Sequence, residues 1–155
     1  MGFISLITSN PIINATIISW FITQFLKVVI VLLTEKKFDY ERFVGAGGMP
    51  SSHSATVCTL SVCIGRTLGF SSPEFAIAFV FSLIIMYDAA GVRRAAGQQA
   101  TVLNKMLDNW YNSEHEFTEI ELKELLGHTP LQVVVGAVIG ILIGLFAVIL
   151  SVKLM

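Results

Sequence analysis

The stretch "LQVVVGAVIGILIGLFAVIL", Leu131 to Leu150, holds twenty consecutive residues without a charge. A bilayer core about 30 Å thick needs about 20 apolar residues in a helix to cross it. Inside lipid every backbone N–H and C=O must be paired within the protein, so an isolated run of this kind must be helical. This one feature rules out most folds open to a chain of 155 residues. Composition points the same way, with 54% hydrophobic and only 14% charged residues. Soluble domains carry about 25% charged residues.

Three more segments have matching character. Residues 11–33 open with Asn10 as a cap and Pro11 in the first turn. Residues 52–68 are shorter and rich in Ser, Thr and Cys, which predicts shielding by neighbouring helices. Residues 73–90 form the third, and 131–150 the fourth. The expectation is an all-α, polytopic membrane bundle. It has four transmembrane helices in a single domain, 1–155, with a cytoplasmic helical insertion at 91–129. Within the insertion, "VRRAAGQQATVLNKMLDNW" has helical periodicity interrupted by Gly97. Thr118 and Glu121 form a capping box for a second helix that stops at Gly127.

The basic residues set an orientation. Lys36, Lys37, Arg42, Arg93, Arg94, Lys105 and Lys123 lie in the two polar connections, against Arg66 and Lys153 on the other side. The positive-inside rule places both connections in the cytoplasm and both termini outside. The N-terminal "MGFISLITSN" has no Lys or Arg, so a cleaved signal peptide is not expected. A net charge of −1 offers no nucleic-acid footprint. Cys58 and Cys63 are five residues apart on one helix, face different ways, and read as small buried hydrophobes. Gly136, Gly140 and Gly144 recur every fourth residue, the spacing that lets helices approach closely. Packing inside the bundle is the favoured use of this row. A homodimer through the same face is the other use.

The polar residues gather at one membrane face. "GAGGMPSSHSATV" puts a Gly-rich turn at the start of the second helix. Unpaired N–H groups at a helix start bind anions, phosphate above all. Ser51, Ser52 and Ser54 add hydroxyls, and His53 can donate a proton. His128 and Thr129 precede Pro130 at the start of the fourth helix, on the same face. Lys27 lies about 9 Å inside the first helix, at 1.5 Å per residue. Arg93 and Arg94 leave the third helix there, and Asp88 lies within it. Ionisable groups in membrane segments are functional candidates by default. Cations, histidines and helix N-termini together make a phosphate site. Lys27 could instead snorkel, the arginines could serve as topology anchors, and Asp88 could pair with one of them.

These residues carry a resemblance. "MPSSHS" resembles the second motif of the type 2 phosphatidic acid phosphatase and vanadium haloperoxidase superfamily, usually Pro-Ser-Gly-His. "GHTPLQVVVG" resembles the end of its third motif. The chain as a whole is similar to the divergent branch of this superfamily, a group of small bacterial and plant membrane proteins. "GGMPSSHSA", "YDAAGVRRAAGQQA" and "LLGHTP" carry that likeness between Lys27 and Gly140. The resemblance implies a phosphatase-like hydrolase in which His128 is the nucleophile and forms a phosphohistidine. It makes His53 the general acid and has Ser52 and nearby N–H groups hold phosphate oxygens. Lys27 matches the lysine of the first motif. A neutral imidazole can attack near neutral pH and a protonated one can act as acid, so neither a metal nor another cofactor is expected.

The chain departs from the superfamily pattern at three places. Gln132 stands where an Asp would orient the nucleophile, Leu122 where an Arg would bind phosphate, and Thr34 where the first motif has its Arg. Arg93, Arg94 and Asp88 are the candidate replacements. The expected substrate is a lipid-linked phosphate monoester or pyrophosphate, with membrane lipid as the partner, because the membrane setting puts His53 and His128 near headgroup level. A phosphate or lipid-headgroup binder without turnover is the alternative, favoured by Gln132 and Leu122. A small transporter of a phosphorylated compound ranks third, since the outer half offers few polar groups.

Overall fold

The computed structural model describes residues 9–36, 48–111 and 127–153. The predicted capping box at Thr118 and Glu121, and Leu122, lie outside them. The described residues form five helices and no strand. They are α1 (Pro11–Glu35), α2 (Ser52–Leu68), α3 (Pro73–Ala90), α4 (Val92–Tyr111) and α5 (Pro130–Lys153). The helix starts follow local chemistry. Asn10 Oδ1 accepts from the N–H groups of Ile12 and Ile13 at 3.0 and 3.2 Å. Ser72 Oγ accepts from Phe75 N–H at 3.1 Å, with Pro73 in the first turn of α3. Each such cap contributes about 1 kcal/mol.

Three helices are long and apolar enough to cross a membrane: Pro11–Thr34, Pro130–Ile149, and the run Pro73–Met106 that joins α3 to α4. The helix α2, of 17 residues, is not among them. It is the centre of the bundle and packs against α1, α3 and α5. Its surroundings explain its composition. Phe21, Phe25, Ile77, Ile84, Leu142 and Phe146 face outward from the other three, while Ser52, Ser54, Thr59 and Ser61 of α2 are buried. In lipid an apolar residue gains little by turning inward, so small and polar residues occupy helix interfaces. Thr59 Oγ1 lies 2.8 Å from both Ser19 Oγ and the Gly140 carbonyl oxygen, tying α2 to α1 and α5. Ser82 Oγ stands 2.7 Å from Ser61 Oγ and donates to the Val57 carbonyl at 2.9 Å, tying α3 to α2.

The glycine row packs on α2 of the same chain. A methyl at Gly136 would strike the Ser51 carbonyl oxygen, and one at Gly140 that of Ala55. At Gly144 it would come within 2.9 Å of the Val62 side chain. The paired numbers rise together, so α2 and α5 run parallel. This is the packing within the bundle that the glycine spacing favoured. The interruption expected at Gly97 is also absent: α4 runs straight through this residue, which is buried. Cys58 and Cys63 are free and buried, as their spacing implied.

Candidate functional site

The site forms where two helix starts meet. The Ser51 N–H donates to the Gln132 carbonyl at 3.1 Å, which joins the cap of α2 to the first turn of α5. The His128 N–H donates to the Ala89 carbonyl at 3.1 Å, which moors the same segment to the end of α3. These backbone bonds set the two histidines together. His53 Nδ1 lies 3.4 Å from His128 Nε2, with ring centroids 5.7 Å apart and planes at 66°. Which ring donates depends on the tautomers.

His128 is only 2% exposed, whereas His53 is half-buried. Burial lowers the His128 pKa below the usual histidine value, and the charges of His53 and Lys27 lower it further. The Gln132 side chain and the Gly48 backbone lie close enough to oppose the shift. Neither closes a hydrogen bond on His128 Nδ1, which is buried without a partner. The effect is a neutral imidazole at neutral pH. Lys27, on α1, is fully buried and acts on this ring, so its burial does not fit a snorkelling residue. The first turn of α2 contributes the partial positive charge of a helix N-terminus.

The serines divide their duties. Ser51 Oγ caps α2 by accepting from Ser54 N–H at 3.4 Å, and it also accepts from Ser54 Oγ at 3.0 Å. Its lone pairs thus serve the helix start. Ser52 is buried beside it. Asp88 directly precedes Ala89, whose carbonyl holds His128, so α3 brings it to the level of the site. Arg94 is half-buried at the start of α4, which packs only against α3 among the described elements. The side chain of Arg93 lies outside the description.

Gln132 takes a structural position that its expected supporting role did not anticipate. Its Oε1 accepts from Thr129 N–H at 3.0 Å, and Thr129 Oγ1 accepts from Gln132 N–H at 3.3 Å. This is a capping box for α5. The signal was available, since Thr and Gln stand three residues apart across Pro130. Also missed was the buried row Ser19, Thr23, Gln24 and Lys27 on α1. Its helical spacing within an apolar run could have revealed it.

The divergent PAP2 family model matches residues 8–143 of this chain. The chain belongs to the divergent PAP2 family. It is also 39% identical over 150 residues to the uncharacterized membrane protein YuiD of Bacillus subtilis (strain 168). That match covers 90% of this chain and 94% of YuiD. No solved structure matches it significantly. The residues matched by the divergent PAP2 model include the two histidines and Lys27.

Proposed function

We propose that this member of the divergent PAP2 family is a membrane phosphatase acting on a lipid-linked phosphate monoester or pyrophosphate through a phosphohistidine. One observation carries the reading: two histidines from separate helix starts stand 3.4 Å apart beside a buried lysine. The lone pair of His128 Nε2 attacks phosphorus and forms a P–N bond. The P–O bond to the leaving group breaks, and His53 gives that oxygen a proton. Water then cleaves the P–N bond while His53 takes back a proton. Lys27, Ser52 and the first-turn N–H groups of α2 offset the charge on the phosphoryl oxygens. Arg94, and Arg93 with it, is a further candidate for that role.

The 3.4 Å contact has a consequence for this chemistry. A phosphoryl group in line between nucleophile and acid needs roughly 6–7 Å between the two nitrogens. Substrate must therefore part the rings. His53 is the one that moves, because it is half-buried, while His128 is enclosed and moored to Ala89.

We further propose four crossings. At about 1.5 Å per residue α2 spans roughly 25 Å, close to a bilayer core. The basic connections then face the cytoplasm, with the site among them and both termini outside.

A binding protein without turnover is the second reading, and one observation favours it. The nucleophilic tautomer of His128 carries an N–H at Nδ1, and that buried atom has no acceptor. An unmet donor costs about 1–3 kcal/mol. Phosphate release by purified protein decides between the two. The panel holds phosphatidate, isoprenyl phosphates and pyrophosphates, and p-nitrophenyl phosphate, with vanadate and EDTA arms. Release that vanadate blocks, EDTA spares, and both His53→Ala and His128→Ala abolish supports the hydrolase. Vanadate binding without release supports the binder.

A further inference from the structure

We propose that α4 lies in the plane of the bilayer interface, with its apolar face in the lipid and its polar face toward water and headgroups. Three observations converge on this.

The first is topology. Ala89 and His128 share a backbone hydrogen bond, so the chain between them leaves and rejoins the bundle at one level. Because α3 and α5 meet at that end, α4 does not count as a membrane crossing. The second is length. The apolar run Pro73–Met106 holds 34 residues. As one straight helix it would measure roughly 51 Å, far beyond a core of about 30 Å. The 18 residues of α3 already supply roughly 27 Å. The break falls at Gly91, whose N–H closes on the Tyr87 carbonyl at 2.8 Å as α3 ends.

The third is the surface of α4. Val92, Val102, Leu103 and Met106 share one side, and all are exposed, Met106 by 63%. Exposed Gln99 interrupts that side, Arg94, Thr101 and Lys105 lie about a third of the way round the helix from it, and Gln98 stands at the boundary. Among the described elements α4 touches only α3. The preceding helix α3 likewise leaves Val80, Phe81, Ile84 and Tyr87 exposed. Low overall hydropathy with a sharply divided surface and basic residues on the polar side is the pattern of an interfacial helix. The same bilayer that covers α3 covers α4. Its basic side suits an anionic surface.

The consequence reaches the site. Gly91 follows two residues after Ala89, so α4 starts at the rim of the histidine pair. An interfacial α4 fixes His53 and His128 at headgroup depth, where lipid phosphates arrive sideways from the membrane. That extension rests on the hydrolase reading, whereas the placement of α4 does not.

Spin labels on the full-length protein test the placement. Val102→Cys, Met106→Cys, Thr101→Cys and Lys105→Cys are labelled singly, with Cys58 and Cys63 replaced by serine. Protein goes into vesicles of phosphatidylcholine and phosphatidylglycerol. Collision with oxygen, which prefers lipid, is compared with collision with a water-soluble nickel chelate. Labels at 102 and 106 should favour oxygen, at about 5–10 Å below the headgroups. Labels at 101 and 105 should favour nickel. Nickel dominance at all four sites overturns the proposal by placing α4 in water. Oxygen dominance at all four overturns it by placing α4 across the membrane. Shielding of 102 and 106 from both probes overturns it by giving that face a protein cover. No turnover enters the readout, so failure here and failure of the hydrolase reading remain separate.

Discussion

His53 Nδ1 stands 3.4 Å from His128 Nε2 although 75 residues of chain separate them. The contact joins a half-exposed ring on α2 to an enclosed one at the start of α5. It makes the two imidazoles interdependent. A charge on His53 lowers the proton affinity of His128.

His53→Ala should therefore raise the His128 pKa toward its ordinary value, read by nitrogen NMR on labelled histidines. The same variant should lower kcat by about 10²–10⁴, the usual worth of a general acid. His128→Ala should remove turnover altogether. An unchanged His128 titration in His53→Ala would show that the rings do not sense one another.

Acid should destabilise the fold through His128. Its folded pKa is depressed, so the unfolded chain binds the proton first. Stability contributed by the neutral ring is present above the unfolded value of about 6.5 and is lost as pH falls toward the lower folded value. Thermal stability in detergent should fall as the pH drops below about 6.5. A His128→Gln variant should show a shallower slope over the same range, and an equal slope would locate the acid sensitivity elsewhere.

Gln132→Ala should lower stability by about 1 kcal/mol through the lost capping box, with little change in kcat. Thr129→Ala should do the same, and the double variant should cost less than the sum, because both changes break one reciprocal pair. A large fall in kcat with unchanged stability would instead make Gln132 a partner of the His128 ring.

Gly136→Ala and Gly140→Ala should each destabilise the bundle by about 1–3 kcal/mol. In both the added methyl meets backbone oxygen, Ser51 or Ala55, which can shift only with α2 itself. Gly144→Ala should cost less, since its nearest contact, Val62 Cβ at 2.9 Å, is the least tight of the three. Unfolding by titrated denaturing detergent ranks the three. Equal and negligible losses would mean that α5 sits farther from α2 than described.

Much of this protein was legible along the chain. The starts of α1 and α3 follow from Asn10 and Pro73, because caps and proline act over two or three residues. The lengths of the apolar runs follow from the thickness of a bilayer. The Gly-rich turn before His53, and His128 before Pro130, marked two helix starts on one face. Their resemblance to phosphatase motifs carried the family.

Sequence by itself thus determined the helices, their membrane character and the shortlist of the site. Tertiary structure decided the rest. It chose α2 as the partner of the glycine row, made α2 and α5 parallel, and buried Lys27 beside His128. It also turned Gln132 to the helix cap and left His128 Nδ1 without an acceptor. The physical reason is range. Periodicity and capping are set by neighbours within a turn or two, whereas these contacts bring together groups far apart in the chain. Helix packing alone fixes their distances, through small residues whose spacing permits several partners and selects none.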